Sequence, residues 1–227
     1  MIRNPMIRSN AVLPAFRFNE RAGQFIRANG RFVSPPEVRA ALDRYLQAKV
    51  SAAAEMLWGQ VREGALTLAE FQLAAEREIA LAALAAGMLA KGGRLQMSPA
   101  DYGRVGGFVK PMLGEWRDAA KRVAEGALPF DGRLKNALRG LLQRARQVFH
   151  RVEGLEMTRR GFDECENVLD DGLHHCRATE ERSSCPEVTA QGFTSTEARV
   201  EIGLRGCYGN CLCRWRYRNS GTGEMRG

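Results

Sequence analysis

Cysteine is missing from the first 164 residues of this 227-residue chain, and lysine is scarce throughout: of 34 basic residues only Lys49, Lys91, Lys110, Lys121 and Lys135 are not arginine. The first absence keeps any disulfide framework or sulfur-based metal site out of the N-terminal two thirds. The second gives a net charge of +8 carried by planar guanidinium groups, which grip phosphate and carboxylate bidentately. A GC-rich source yields the same bias, so charge alone names no partner. Long apolar runs are missing too. The most apolar stretch, Ile79 to Ala90, is alanine-rich and far short of the roughly 20 residues that span a bilayer. The opening MIRNPMIRSNAVLPAF has no apolar run of the length that a secretory signal needs, so the expectation is a soluble, intracellular chain without membrane contact. No phosphate loop, nucleophile elbow or paired catalytic constellation occurs, and the expectation is a protein that is not an enzyme.

What is present begins with aromatics. Phe16, Phe18, Phe25, Ile26, Phe32 and Val33 surround Gly23 and the pair Asn29-Gly30, which predicts a tight hairpin or an arm over residues 1–34 that needs a partner surface. Ser34, two prolines and Glu37 form a capping box, so a first helix starts there and follows Val38, Leu42, Leu46, Val50, Leu57 and Val61 to Gly64. Thr67 with Glu70 opens a second, alanine-rich helix that ends at Gly92-Gly93. Ser98-Pro99 with Asp101 opens a third, expected to bend at Pro111. A fourth is predicted from Asp131 through Leu134, Leu138, Leu142, Val148 and Phe149, its other face holding Arg133, Lys135, Arg139, Arg144, Arg146 and Arg151. His150, at its end, reads as a surface or capping residue. The acidic run Phe162 to Asp171 reads as a solvated helix face or as carboxylates paired with nearby arginines. The fold class expected is mainly α: a helical bundle-like domain over 35–160, preceded by the arm and followed by a small cysteine-rich β knuckle over 161–227.

All six cysteines, Cys165, Cys176, Cys185, Cys207, Cys211 and Cys213, lie in that last module, and His174 and His175 directly precede Cys176. Zinc takes four nitrogen or sulfur ligands in a tetrahedron, and Cys207-x3-Cys211 presents two from one turn. The candidate ligands for one structural zinc are Cys176, Cys185, Cys207, Cys211, Cys213 and His175. Disulfides and buried thiols remain alternatives, and catalysis by Cys176 with a neighbouring histidine lacks any oxyanion-forming motif. Beyond the knuckle, Arg199 to Ile202 and Leu212 to Tyr217 alternate with period two, which predicts two strands. On the second, Arg214, Arg216 and Arg218 share one face while Cys213, Trp215 and Tyr217 share the other. These arginines, with Arg139, Arg144 and Arg146 of the fourth helix, are the candidate nucleic-acid or partner-binding residues.

The run GLHHCRATEERSSCPEVTAQGF followed by GLRGCYGNCLCRWRYR resembles the tail of minor head proteins of tailed bacteriophages, the phage Mu F-like head morphogenesis group and related structural proteins. His175-Cys176, Cys185, Cys207, Cys211 and Cys213 carry the likeness. Cys185 departs from it, because the family often places the second cysteine two residues after the first. A second, shorter likeness, ANGRFVSPPEV at residues 28 to 38, is similar to the opening of some phage proteins with a helical middle and this tail. The resemblance implies a virion component made in the host bacterial cytoplasm, present in several copies near the portal or on the inner capsid surface. Its partners would be the portal or major capsid protein and DNA. The rival from another class is a zinc-stabilised nucleic-acid-binding protein that acts without a capsid.

Overall fold

The computed structural model describes residues 16–19, 21–22, 24–169, 183–199, 202 and 213–226. Within them the chain is mainly helical. Strands β1 (Arg17–Asn19), β2 (Gln24–Ile26) and β3 (Phe32–Val33) form an antiparallel meander, with the β2–β3 turn closed by Gly30 N–H donating to the Arg27 carbonyl. Gly30 takes φ 79°, the left-handed conformation that the Asn-Gly pair predicted.

Capping boxes at Ser34–Glu37, Thr67–Glu70 and Ser98–Asp101 start α1 (Pro35–Arg62), α2 (Leu68–Lys91) and α3 (Pro99–Ala124). A 3₁₀ turn, Arg94–Gln96, joins α2 to α3. The third helix runs unbroken through Pro111, which lies exposed on it. The single fourth helix expected from sequence is two, α4 (Gly132–Gln143) and α5 (Ala145–Arg159), divided at Arg144. No glycine or proline marks that break. Arg144 instead reaches across to Glu115 of α3, a tertiary contact that local propensity does not reveal.

Helix α2 is the centre of the bundle and packs on α1, α3, α4 and α5. Its alanines 75, 82, 83 and 86 are fully buried, and they let neighbouring helices approach closely. Gly87 extends this: a Cβ there would lie 2.7 Å from Val105 Cγ2. Phe71 stands edge-on between Trp58 and Trp116, and the Trp116 indole donates to the Gln72 carbonyl at 3.1 Å. The arm, expected to need a partner surface, covers this same core with its described residues. Phe16 and Val33 are buried in it, the Gln96 amide bonds both backbone groups of Phe18, and Arg160 lies 3.6 Å over the Phe18 ring. Among the described residues no helix is long and apolar enough to cross a membrane.

Charges buried where α2, α3 and α5 meet form a network. Lys91 sits between Asp101 and Glu156, and Glu156 also faces Arg159 and Arg160. Burial pushes the Asp101 carboxyl up, but the Ser98 backbone N–H, the Ser98 hydroxyl and Lys91 outweigh it and hold the group at about 2. The unfolded carboxyl titrates near pH ~3.9, so the folded chain binds this proton less readily than the unfolded one. The contribution is complete above about pH 4 and lost as pH falls through about 2. Asp101→Asn is therefore expected to flatten the acid limb of a urea-denaturation series run across that window, and an unchanged limb would remove Asp101 from the acid response.

Candidate functional site at the C-terminal sheet

A second, smaller core lies behind the four-stranded antiparallel sheet β5-β4-β6-β7, built from β4 (Glu164–Val168), β5 (Thr194–Ser195), β6 (Arg214–Arg218) and β7 (Met225–Arg226). A short helix, α6 (Cys185–Ala190), is capped by the box Ser184–Glu187 and packs on β4. The Asn167 amide ties the two together, donating to the Thr189 hydroxyl at 2.6 Å.

The acidic run holds the central strand. Period-two alternation puts Cys165 and Asn167 inward and Glu164, Glu166 and Val168 on the other face. The register sets Glu164 opposite Arg218, Glu166 opposite Arg216, and Val168 opposite Arg214. Arg218 Nε donates to Glu164 at 2.6 Å, which raises the guanidinium above its ordinary range, and Arg216 pairs with Glu166. Phe193 covers the same face, its ring 4.1 Å from the Arg218 guanidinium carbon. The expected open row of positive charge is thus a ladder of cross-strand ion pairs at two of its three positions. Such partly exposed pairs contribute roughly 0.2–1 kcal/mol each.

The double change Glu164→Gln and Glu166→Gln is expected to release both guanidinium groups. Duplex DNA affinity, followed by fluorescence anisotropy at low salt, should rise, and its log–log salt slope should steepen by up to about 2, near 0.9 per phosphate contact. An unchanged slope would mean that the pairing does not mask these arginines.

On the inward face, Trp215 and Tyr217 are buried with Cys165, Cys185, Cys213, Val188 and Ile202. Of the six candidate zinc ligands, Cys185 and Cys213 share this core, while His175, Cys176, Cys207 and Cys211 lie outside the described residues, as does His174. Among the described residues no three Cys, His, Asp or Glu side chains converge as metal ligands. Strand β6 pairs with β4 and β7; of the other strand expected, Val200 and Glu201 lie outside the described residues, and Ile202 is buried.

The remaining candidate arginines are dispersed. Arg144 pairs with Glu115, Arg139 is exposed on α4, and Arg146 of α5 bonds Asp43 of α1 at 2.8 Å. Arg214 and Arg146 do come together, at a cavity of about 190 Å³ between α1, α5 and the start of β6, where Arg39, Asp43, His150 and Cys213 also line the wall. His150 is a correction: it is 2 % exposed, with Nδ1 3.2 Å from Glu153 Oε2, because α5 turns that face toward the sheet. Arg39, one arginine between two apolar helical positions, carries no signal in the sequence. Gly154 on α5 lets Arg199 lie flat against the helix; a Cβ would stand 2.2 Å from its guanidinium nitrogens.

No family model, curated protein or solved structure matches this chain.

Proposed function

We propose that this chain is a structural component of a bacteriophage particle, a minor head or head-associated protein that serves head assembly near the portal or on the inner capsid surface. The observation that carries the reading is the C-terminal run from His175-Cys176 through Cys185 to the cluster Cys207, Cys211 and Cys213, which closes directly on Arg214 to Arg218 and resembles the tail of phage minor head proteins. Two features of the fold support docking over turnover. The tail forms a sheet braced by its own ion-pair ladder, which suits a rigid platform. A groove of about 560 Å³ lined by Phe16, Met88, Leu89 and Leu95 stays open beside the meander, and Leu95 is 98 % exposed at its edge, the kind of apolar surface that partner proteins cover.

The portal or major capsid protein is the partner this reading names, with several copies of the chain per virion, assembled in the host bacterial cytoplasm. One structural zinc belongs to the proposal. Thiolates of Cys176, Cys185, Cys207, Cys211 and Cys213 with His175 are its candidate donors, and bound metal would cross-link the module as it does in small zinc domains. Cys185 and Cys213 fit that role in being sulfur donors buried in one apolar core. Independent DNA binding is the weaker reading, since Arg216 and Arg218 already hold carboxylates.

Mass spectrometry of purified procapsids and mature virions tests the assignment: the chain is expected in at least one of them, and absence from both overturns it. Elemental analysis with a thiol count on freshly purified protein tests the metal. About one zinc per chain is expected; six titratable thiols without zinc would remove it.

A further inference from the structure

We propose that the cavity lined by Arg39, Arg146 and Arg214 is a phosphate-binding site. The sheet register isolates one arginine. Arg216 and Arg218 stand opposite carboxylates, whereas Arg214 stands opposite Val168 and turns to the cavity wall. There it meets Arg39, from the first turns of α1. Nη2 of Arg39 is shielded from solvent and has no hydrogen-bond partner among the described residues. Burial pushes the Arg39 guanidinium below the ordinary arginine range; Glu153 opposes the shift and Arg214 adds to it. A shielded donor beside a like charge is an arrangement that an anion completes.

The number and direction of the donors favour a phosphate over a carboxylate. Guanidinium groups reach the cavity from three separate elements: Arg39 from α1, Arg146 from α5 and Arg214 from β6. Arg146 is already engaged with Asp43, whose carboxylate also lines the cavity and offsets its charge, so Arg39 and Arg214 are the donors on which binding turns. A tetrahedral phosphate offers oxygens in several directions at once, whereas a carboxylate has two in one plane. Pro36, in the first turn of α1, also lines the cavity. About 190 Å³ holds a phosphate group with water beside it.

The test is calorimetric titration of the full chain with inorganic phosphate at ionic strength held constant with chloride. One saturable site per chain is expected. Arg39→Gln and Arg214→Gln should each weaken it about tenfold or more, the scale of one charge-assisted hydrogen bond. Arg139→Gln, on exposed α4, should leave it unchanged. Melting temperature guards against a folding artefact: phosphate should stabilise the parent chain and leave Arg39→Gln unmoved, while Arg39→Gln in chloride melts no lower than the parent. A short blunt DNA duplex distinguishes the source. Competition with phosphate that vanishes in Arg39→Gln assigns the group to a nucleic-acid backbone; phosphate binding without such competition assigns it to a free phosphate. Absence of saturable phosphate binding, or binding indifferent to both arginines, overturns the site, as does capture of a glutamate-rich peptide in place of phosphate.

Discussion

Replacing Glu78 with alanine is expected to cost about 3–5 kcal/mol of folding free energy, although the ion pair it breaks contributes little net stability. Lys49 of α1 and Glu78 of α2 face each other with Nζ 2.6 Å from Oε2, and their side chains are 8 % and 9 % exposed. The contact is one of charge more than of alignment, because the same oxygen accepts no hydrogen bond of acceptable angle. Tyr45 lies close by, its hydroxyl pushed up by burial and by the Glu78 charge. Removing the carboxylate strands a buried ammonium group, and the cost is that of an uncompensated charge. The same logic makes the opposite forecast for the double change Lys49→Met with Glu78→Leu. Both charges go, apolar volume fills the space, and the result is expected to range from neutral to about 4 kcal/mol more stable. Urea denaturation of Glu78→Ala measures the first effect, and the same assay on the parent, Lys49→Met, Glu78→Leu and the double variant, as a double-mutant cycle, measures the second. Single variants within about 1 kcal/mol of the parent would mean that water reaches the pair and that this α1–α2 contact is not dry.

Much of the helical half could be read from local signals. Ser34, Thr67 and Ser98, each followed three residues later by a carboxylate, mark helix starts that depend on neighbours in sequence. Asn29-Gly30 likewise locates its own turn. The sheet was harder because its signals are relational. Glu164 and Glu166 read either as a solvated helix face or as partners of nearby arginines; they lie on a strand, and the arginines they pair with, Arg218 and Arg216, are 54 and 50 residues away. The Glu-Cys-Glu-Asn-Val alternation was present, and its match to Arg-Trp-Arg-Tyr-Arg is the clue that would have paired the strands. The box Ser184–Glu187 was likewise there to announce α6. The helix break at Arg144, which no glycine marks, and the burial of the His150 ring are both set by packing against elements distant in sequence. The setting of Arg39 has no local signal, since it arises only where α1 and the first residue of β6 line one cavity.

The meander offers the second large effect. Gly92 ends α2 at φ 95°, and a Cβ there would stand 2.5 Å from Phe18 Cβ, 2.7 Å from the Phe18 backbone nitrogen and 2.1 Å from Gln96 Oε1. Gln96 can swing aside only by releasing the bonds its amide makes to the Phe18 N–H and carbonyl, so the flexible neighbour is itself the clamp. Gly92→Ala therefore combines left-handed strain with a backbone clash, for an expected cost of about 3 kcal/mol. Gly64→Ala is the matched control. It has φ 74° and nothing within 4 Å of the added carbon, so strain alone should cost about 1 kcal/mol. Hydrogen exchange locates the damage: amides of β1 and β2 should lose protection in Gly92→Ala while those of α2 and α3 keep theirs, because the helices bury their own core without the meander. Equal costs for the two glycines, or uniform loss of protection, would show that the seam between Phe18 and the end of α2 yields freely. The meander would then rest on the bundle through the buried side chains of Phe16 and Val33 and the Arg160 contact on the Phe18 ring.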